Sequence, residues 1–199
     1  MSFRKEKKFK LSYSDMAIMQ KNLINKGMHE LYNSRVIDSC YFDNDEMSLY
    51  HDSEEGVLPR KKVRIRWYNN SEKFKKETKI SSIEGRFKFT EDLSKIHKIE
   101  DIFKVHFFDN TYGKLSPKII VNYKRFYFQL NELRITFDIN IQYRHVNSNF
   151  VKKIKDAECV MEVKTSIDCH DDYIEKIINY QTSRFSKYSR GLLYFNKMI

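Results

Sequence analysis

Glycine and proline are scarce, with five and two residues in a chain of 199. No Pro/Gly-rich or long polar stretch marks a linker, and neither an internal repeat nor a low-complexity segment is present, so one domain is expected over residues 1–199. Cysteine is nearly as rare. Cys40, Cys159 and Cys169 are odd in number, far apart and without a CxxC pair, which argues against a disulfide framework or a zinc site and fits a reducing interior. Long apolar runs are missing too. No stretch approaches the roughly 20 residues of a membrane helix, and "MSFRKEKKFK" is charged from residue 4 without the apolar core of a signal peptide. A cytoplasmic protein without a membrane span is the expectation. Negative charge is in short supply: 27 acidic against 37 basic residues leave a net charge of +10. That balance suits a polyanionic partner, whether nucleic acid, an anionic membrane surface or phosphorylated metabolites, and does not choose among them.

What the sequence does have is strands. After a charged strand at 3–11, "SYSDMAIMQKNLINKG" carries apolar residues at helical spacing, with Ser14 as candidate cap and Gly27 as stop. Further strands are expected at 35–43, 60–69, 73–80, 84–90, 117–129, 132–144 and 157–165. Residues 44–56 read as a polar turn or short helix, and helical segments are expected near 91–105 and 170–182. Strands in the middle and helices toward the ends make an antiparallel α+β protein, a sheet or barrel, rather than a βαβ series.

The polar faces of these strands are chemically biased. Successive strand side chains point to opposite faces, so "PRKKVRIRWY" sets Arg60, Lys62, Arg64 and Arg66 on one side and Val63, Ile65 and Trp67 on the other. The pattern recurs with Arg4, Glu6 and Lys8, with Lys75, Glu77 and Lys79, and with Arg86 and Lys88. Tyr123 and Arg125, Arg134, Thr136 and Asp138, and Glu162 and Lys164 continue it. One such strand is more simply a solvated face or a protected edge; six or seven are not. The opposite faces, including Phe87, Phe89, Ile135, Phe137, Ile139, Met161 and Val163, require apolar cover, which terminal helices can supply. The consistent picture is a barrel with an apolar exterior under helices and a cationic lumen. Buried cations need counter-charge, so that lumen calls for a multivalent anion such as a triphosphate, with Arg suited to bidentate phosphate contacts. Tyr123 and Tyr127 are the only clear aromatics on the polar faces, which gives little support to a base-stacking nucleic-acid surface.

The ordered strings "FRKEKKF", "SCYFDNDEMSLYHDSEEG", "RKKVRIRWYN", "ETK", "GRFK", "LSPKIIVNYKRFYF", "LRITFDINI", "MEVKT" and "FSKYSRG" span nearly the whole chain. Together they resemble the VTC domain, the polyphosphate polymerase module of the triphosphate tunnel metalloenzyme, or CYTH-like, superfamily. The resemblance implies a closed antiparallel β-barrel tunnel of about eight strands with a cationic lumen, a divalent metal (Mn²⁺ or Mg²⁺), and transfer of the γ-phosphoryl group of ATP to a growing polyphosphate chain. Carried onto this chain, it implies phosphate binding by Lys8, Arg64, Arg66, Lys79, Lys88, Arg125 and Lys187 and a metal on Glu162. Glu6 and Glu77 are further metal-side carboxylates. Arg60, Lys62, Arg86, Arg134, Lys164, Ser186 and Tyr123 fall on or near the same surface as substrate contacts. Triphosphatases and cyclases of the superfamily open with ExExK; here Arg4-x-Glu6-x-Lys8 puts a cation in the first acidic place, which favours polymerase over hydrolysis.

Three rivals follow: a metal-dependent triphosphatase, a non-catalytic polyphosphate or inositol-phosphate binding module, and a nucleic-acid binder. The six histidines show no ligand spacing, and "CHDDY" at 169–173 reads as acidic residues opening a helix. Tyr32, Tyr41, Phe42 and Asp43 read as packing and turn residues.

Overall fold

The computed structural model describes residues 4–68, 73–146 and 153–196. In chain order these form β1 (Arg4–Leu11), α1 (Tyr13–Asn25), β2 (His29–Asp43), α2 (Ser48–Glu55), β3 (Arg60–Tyr68), β4 (Lys75–Ser82) and β5 (Gly85–Asp92). There follow α3 (Ile99–Ile102), β6 (Phe107–Asp109), β7 (Gly113–Leu130), β8 (Leu133–His145), β9 (Lys153–Lys155), β10 (Cys159–Ser166), α4 (Asp171–Ile177) and α5 (Lys187–Asn196). No helix among the described residues is long and apolar enough to cross a membrane.

By backbone pairing the strand order is β1-β10-β8-β7-β2-β3-β4-β5, with β6 on β7 and β9 on β8. This corrects the expected closed barrel of about eight strands: among the described residues the sheet has ten, and its order ends at β1 and β5, between which no pairing is found. The character of β5 explains its place. Its residues are almost all exposed, and Arg86, Lys88, Glu91 and Asp92 give it the charged side chains that protect a sheet edge. Phe87 and Phe89, expected on a covered face, are respectively half-buried and exposed.

The chain gathers into two compact units, residues 1–36, 123–141 and 155–185, and residues 37–122, 142–154 and 186–199. In the first, Phe9 and Leu11 of β1, Phe128 and Leu130 of β7, Leu133, Ile135 and Phe137 of β8 and Met161 and Val163 of β10 form one apolar sheet face. Met19 and Leu23 of α1 and Ile174 of α4 cover it. The cap of α1 is Ser12, not Ser14: its hydroxyl accepts from the Asp15 N–H at 3.0 Å while its backbone is extended. Gly27 ends the helix at φ 98°, and Met28 N–H returns to Leu23 O at 2.9 Å.

In the second unit Cys40 and Phe42 of β2 and Val63, Ile65 and Trp67 of β3 pack with Leu49 of α2 and Ile102 of α3. The expected helix near 91–105 is only Ile99–Ile102, because β5 runs on to Asp92 and the segment between forms turns. The segment expected near 170–182 is likewise shorter, ending as α4 at Ile177. Its opening acids behave as expected, with Asp171 ion-paired to Lys5 at 3.4 Å and Lys7 at 3.3 Å. All three cysteines are buried free thiols.

Candidate functional site

In the second unit, alternation along β3 turns Val63, Ile65 and Trp67 to the core, so Arg64 and Arg66 lie on the other face although each is only 8% exposed. Register then supplies their counter-charge. Arg64 is directly opposite Tyr41 on β2 and Glu77 on β4, and it donates to the Glu77 carboxylate through Nε at 2.7 Å and Nη2 at 2.5 Å and to the Tyr41 hydroxyl at 2.9 Å. Arg66 Nη1 lies 3.7 Å from the same carboxylate, and Lys88 Nζ reaches it at 2.5 Å. Burial works against charge on Glu77, but the Arg64 and Arg66 charges and the Lys88 and Arg64 hydrogen bonds outweigh it and hold its pKa down at about 2. Burial likewise opposes ionisation of Tyr41, yet Arg64, Arg66 and Lys187 draw its pKa below the usual phenol value.

One register row stands out. Lys62, Lys79 and Lys88 are side by side across β3, β4 and β5. Like charges directly opposite repel one another in a sheet, and here Lys88 is offset by its ion pair with Glu77. Lys62 donates to Ser186 Oγ at 2.9 Å, at the start of α5 where Lys187 follows. Asp43 ties this part together: it accepts from the N–H groups of Asn44, Leu49 and Tyr50 and from the Tyr188 hydroxyl at 2.5 Å, while Tyr188 stacks on Tyr41 at 5.1 Å. Burial and the adjoining Asp43 charge push the Tyr188 pKa well up, so its proton stays on the phenol. Arg60 turns instead toward Gly56 O and Val57 O, at 3.3 and 3.4 Å. Arg86 is exposed on β5, opposite Ser81.

The first unit holds a second polar face. Arg125 of β7 grips Asp138 of β8 with two hydrogen bonds, Nε–Oδ1 at 2.5 Å and Nη2–Oδ2 at 2.7 Å, and approaches Glu162 of β10 at 3.9 Å. Lys164 joins Glu162 at 2.7 Å and Glu6 at 4.0 Å, and Lys8 meets Glu6 at 3.3 Å while donating to Phe185 O at 3.1 Å. Burial disfavours the Glu162 carboxylate, but Lys164, Arg125 and Lys8 hold its pKa well below the ordinary value. Tyr123 is buried beneath the Arg125 guanidinium, 5.4 Å from its ring centroid. Arg134 lies over Tyr32 at 5.6 Å.

The three carboxylates named for a metal do not form one cluster: among the described residues no three His, Cys, Asp or Glu side chains gather at metal-binding reach. Glu77 is taken up by guanidinium and ammonium groups instead. Around Glu162 the chemistry does fit a hard divalent cation, since the donors are carboxylate oxygens from Glu162 and Glu6. Thr136, directly opposite Glu162 in register, also has a buried hydroxyl with no hydrogen-bond partner. Asp43, Tyr41, Tyr188 and Asp138 complete these networks. Tyr41 and Asp43 read from sequence as packing and turn residues, and Asp138 falls on the polar face that strand alternation assigns it.

The VTC domain family matches residues 3–196. No curated protein matches the chain. Among solved structures it resembles a candidate adenylate cyclase from Bacillus halodurans at 14% identity, with a TM-score of 0.57 over 94% of this chain and 96% of that one. A candidate adenylate cyclase from Vibrio parahaemolyticus is 12% identical, with a TM-score of 0.55 over 96% and 98% of the two chains. A candidate adenylyl cyclase from Hippeastrum, whose dominant activity is that of a triphosphatase, is 15% identical with a TM-score of 0.56 over 98% and 96%. These likenesses describe the fold, and with a family match spanning nearly its full length the chain belongs to the VTC domain family.

Proposed function

We propose that this protein is a metal-dependent polyphosphate polymerase that uses ATP. The observation that carries the reading is the in-register row of Lys62, Lys79 and Lys88 beside Arg64 and Arg66, which share the Glu77 carboxylate with Lys88. A sheet that sets like charges opposite each other and shares one carboxylate among three cations is organised for a linked-phosphate anion.

Phosphoryl transfer asks mainly for positioning and charge compensation. Arg64, Arg66, Lys79 and Lys88 would hold phosphate oxygens, with Lys187, Lys62 and Ser186 at the start of α5. Arg125, Lys8 and Lys164 would do the same beside Glu162. No side chain is the nucleophile: a terminal phosphate oxygen of the acceptor forms the new P–O bond to the γ-phosphorus. The bond from that phosphorus to the β,γ-bridging oxygen breaks, and ADP leaves with the electron pair. Glu162 and Glu6 would hold Mn²⁺ or Mg²⁺, which when bound offsets the charge of the phosphate oxygens. Arg4 in place of the first carboxylate of the opening strand favours transfer to phosphate over attack by water.

The purified protein incubated with ATP and Mn²⁺ should yield ADP and a ladder of polyphosphate on a gel. Absence of both polymer and triphosphate binding would overturn the proposal. The Hippeastrum likeness favours a second reading, hydrolysis of a triphosphate, which predicts orthophosphate from inorganic triphosphate in preference to chain growth. Glu162→Gln separates both from a binder: an enzyme should lose on the order of 10²-fold in rate with affinity nearly kept, whereas a binder has no turnover to lose.

A further inference from the structure

The polar face of the first unit carries a group of planar side chains beyond the cation–carboxylate ladder. Tyr32 of β2 is 47% exposed, and its ring meets that of Tyr127 of β7 edge to face at 6.0 Å. The Arg134 guanidinium lies over Tyr32 at 5.6 Å and that of Arg35 over Tyr127 at 5.8 Å. A lone exposed tyrosine is ordinary on a protein surface; four planar groups in continuous contact, ring against ring with a guanidinium at either end, are not.

Their position ties them to the phosphate chemistry. Arg134 is directly opposite Lys164, and Lys164 bonds Glu162 at 2.7 Å. Tyr127 shares a strand face with Arg125, two residues or about 7 Å away, roughly the reach of one ribose. A polyphosphate chain has no π face and would gain nothing from rings; a nucleobase gains from both aromatic and guanidinium planes.

We propose that Tyr32, with Tyr127, Arg134 and Arg35, forms a stacking site for the base of a nucleoside triphosphate whose phosphates lie against Arg125, Lys164 and Glu162. This rests on the triphosphate reading of the same unit and adds to it a preference for nucleotide over inorganic triphosphate as phosphoryl donor. Stacking is tolerant of base identity, so adenine and guanine nucleotides should bind alike.

Calorimetric titration with Mg²⁺ present, using inorganic triphosphate and the non-hydrolysable β,γ-imido analogue of ATP, tests it. Wild type should bind the analogue about tenfold more tightly than triphosphate, and Tyr32→Ala should remove most of that difference while leaving triphosphate affinity within about twofold. Tyr32→Phe should behave as wild type, since the ring and not the hydroxyl is used. Equal wild-type affinities for the two ligands, or equal weakening of both by Tyr32→Ala, would overturn the base site and leave the triphosphate reading standing. Failure of wild type to bind either ligand would overturn both. Displacement of the analogue by a single-stranded oligoadenylate without terminal triphosphate, as effectively as by ATP, would also overturn it, in favour of a nucleic-acid surface.

Discussion

Replacing Glu77 with Gln removes the carboxylate that Arg64, Arg66 and Lys88 share, while keeping the side chain's size. Glu77 is 3% exposed and the two arginines are 8% exposed, so solvent cannot take its place. Two routes give the magnitude. Lowering its pKa from 4.5 to about 2 corresponds to about 3 kcal/mol of folding stability at 1.36 kcal/mol per unit. Breaking a buried ion pair by deleting one partner costs about 3–5 kcal/mol. Against a usual total of about 5–15 kcal/mol that is a large fraction, and for a chain of this size it lowers the melting temperature by roughly 6–12 °C. The pH dependence fixes the sign. A carboxylate with a depressed folded-state pKa contributes fully above its unfolded value near 4.5 and loses that contribution as pH falls toward about 2. Urea unfolding of wild type and Glu77→Gln should therefore differ by about 3 kcal/mol at pH 7 and converge between about pH 5 and 2. Inorganic triphosphate should stabilise the variant more than wild type, because the anion replaces the missing counter-charge. A gap below about 1 kcal/mol at pH 7, or one that widens on acidification, would refute the counter-ion role.

Lys79→Ala shortens the row of lysines at an exposed position and should change stability by no more than about 0.5 kcal/mol, while weakening triphosphate binding in the same preparation. Loss of both together, measured by urea unfolding and calorimetry, would make Lys79 a structural residue. Tyr188→Phe deletes the hydroxyl that donates to Asp43 at 2.5 Å and should cost about 1–3 kcal/mol; because burial and Asp43 push that phenol's pKa well up, the loss should be flat from pH 6 to about pH 9. Gly191→Ala places a Cβ against Ile119 Cδ1 and 2.7 Å from Tyr143 Cδ1, so thermal melts should show a loss of about 1–3 kcal/mol from overpacking.

Period-two alternation is local, and that made the face of β3 readable: Arg64 and Arg66 fell opposite Val63, Ile65 and Trp67 as the sequence spacing requires. What pairs with a face is not local. That Arg64 finds Glu77 and Tyr41 depends on strand register, and that Arg125 is gripped by Asp138 depends on how β7 meets β8, so the cations and carboxylates of these faces could be written from sequence but not which meets which. The helix α5 escaped notice for a different reason. Gly191 sits inside it and argues against a helix by propensity, yet Ile119 and Tyr143 approach so closely that a side chain there would collide. Phe87 and Phe89 read as core because alternation does not reveal whether a strand lies inside a sheet or at its end, and β5 is at the end. Tyr32 illustrates the limit for the base site: its neighbours Tyr127 and Arg134 are about a hundred residues away, and only folding brings their planes together.

Carboxylates within strongly cationic sheet faces have two possible uses, as counter-ions for arginine or as ligands for a metal, and the two differ in what surrounds them. Glu77 accepts from two nitrogens of Arg64 and is approached by Arg66 and Lys88, which spends its lone pairs on fixing those cations in place. Such a group orders the cationic side chains in advance, which would lower the entropy lost if they bind phosphate. Glu162 is different. Lys164 at 2.7 Å, Arg125 at 3.9 Å and the Lys8 charge act on it too, but beside it Thr136 holds a buried hydroxyl without a hydrogen-bond partner among the described residues. A buried hydroxyl left unsatisfied is costly and rare enough to require a cause, and a ligand oxygen held beside Glu162 would supply its partner. The same residue type thus serves as a counter-ion on β4, whereas on β10 Glu162, with Glu6, would be the pair to hold a metal.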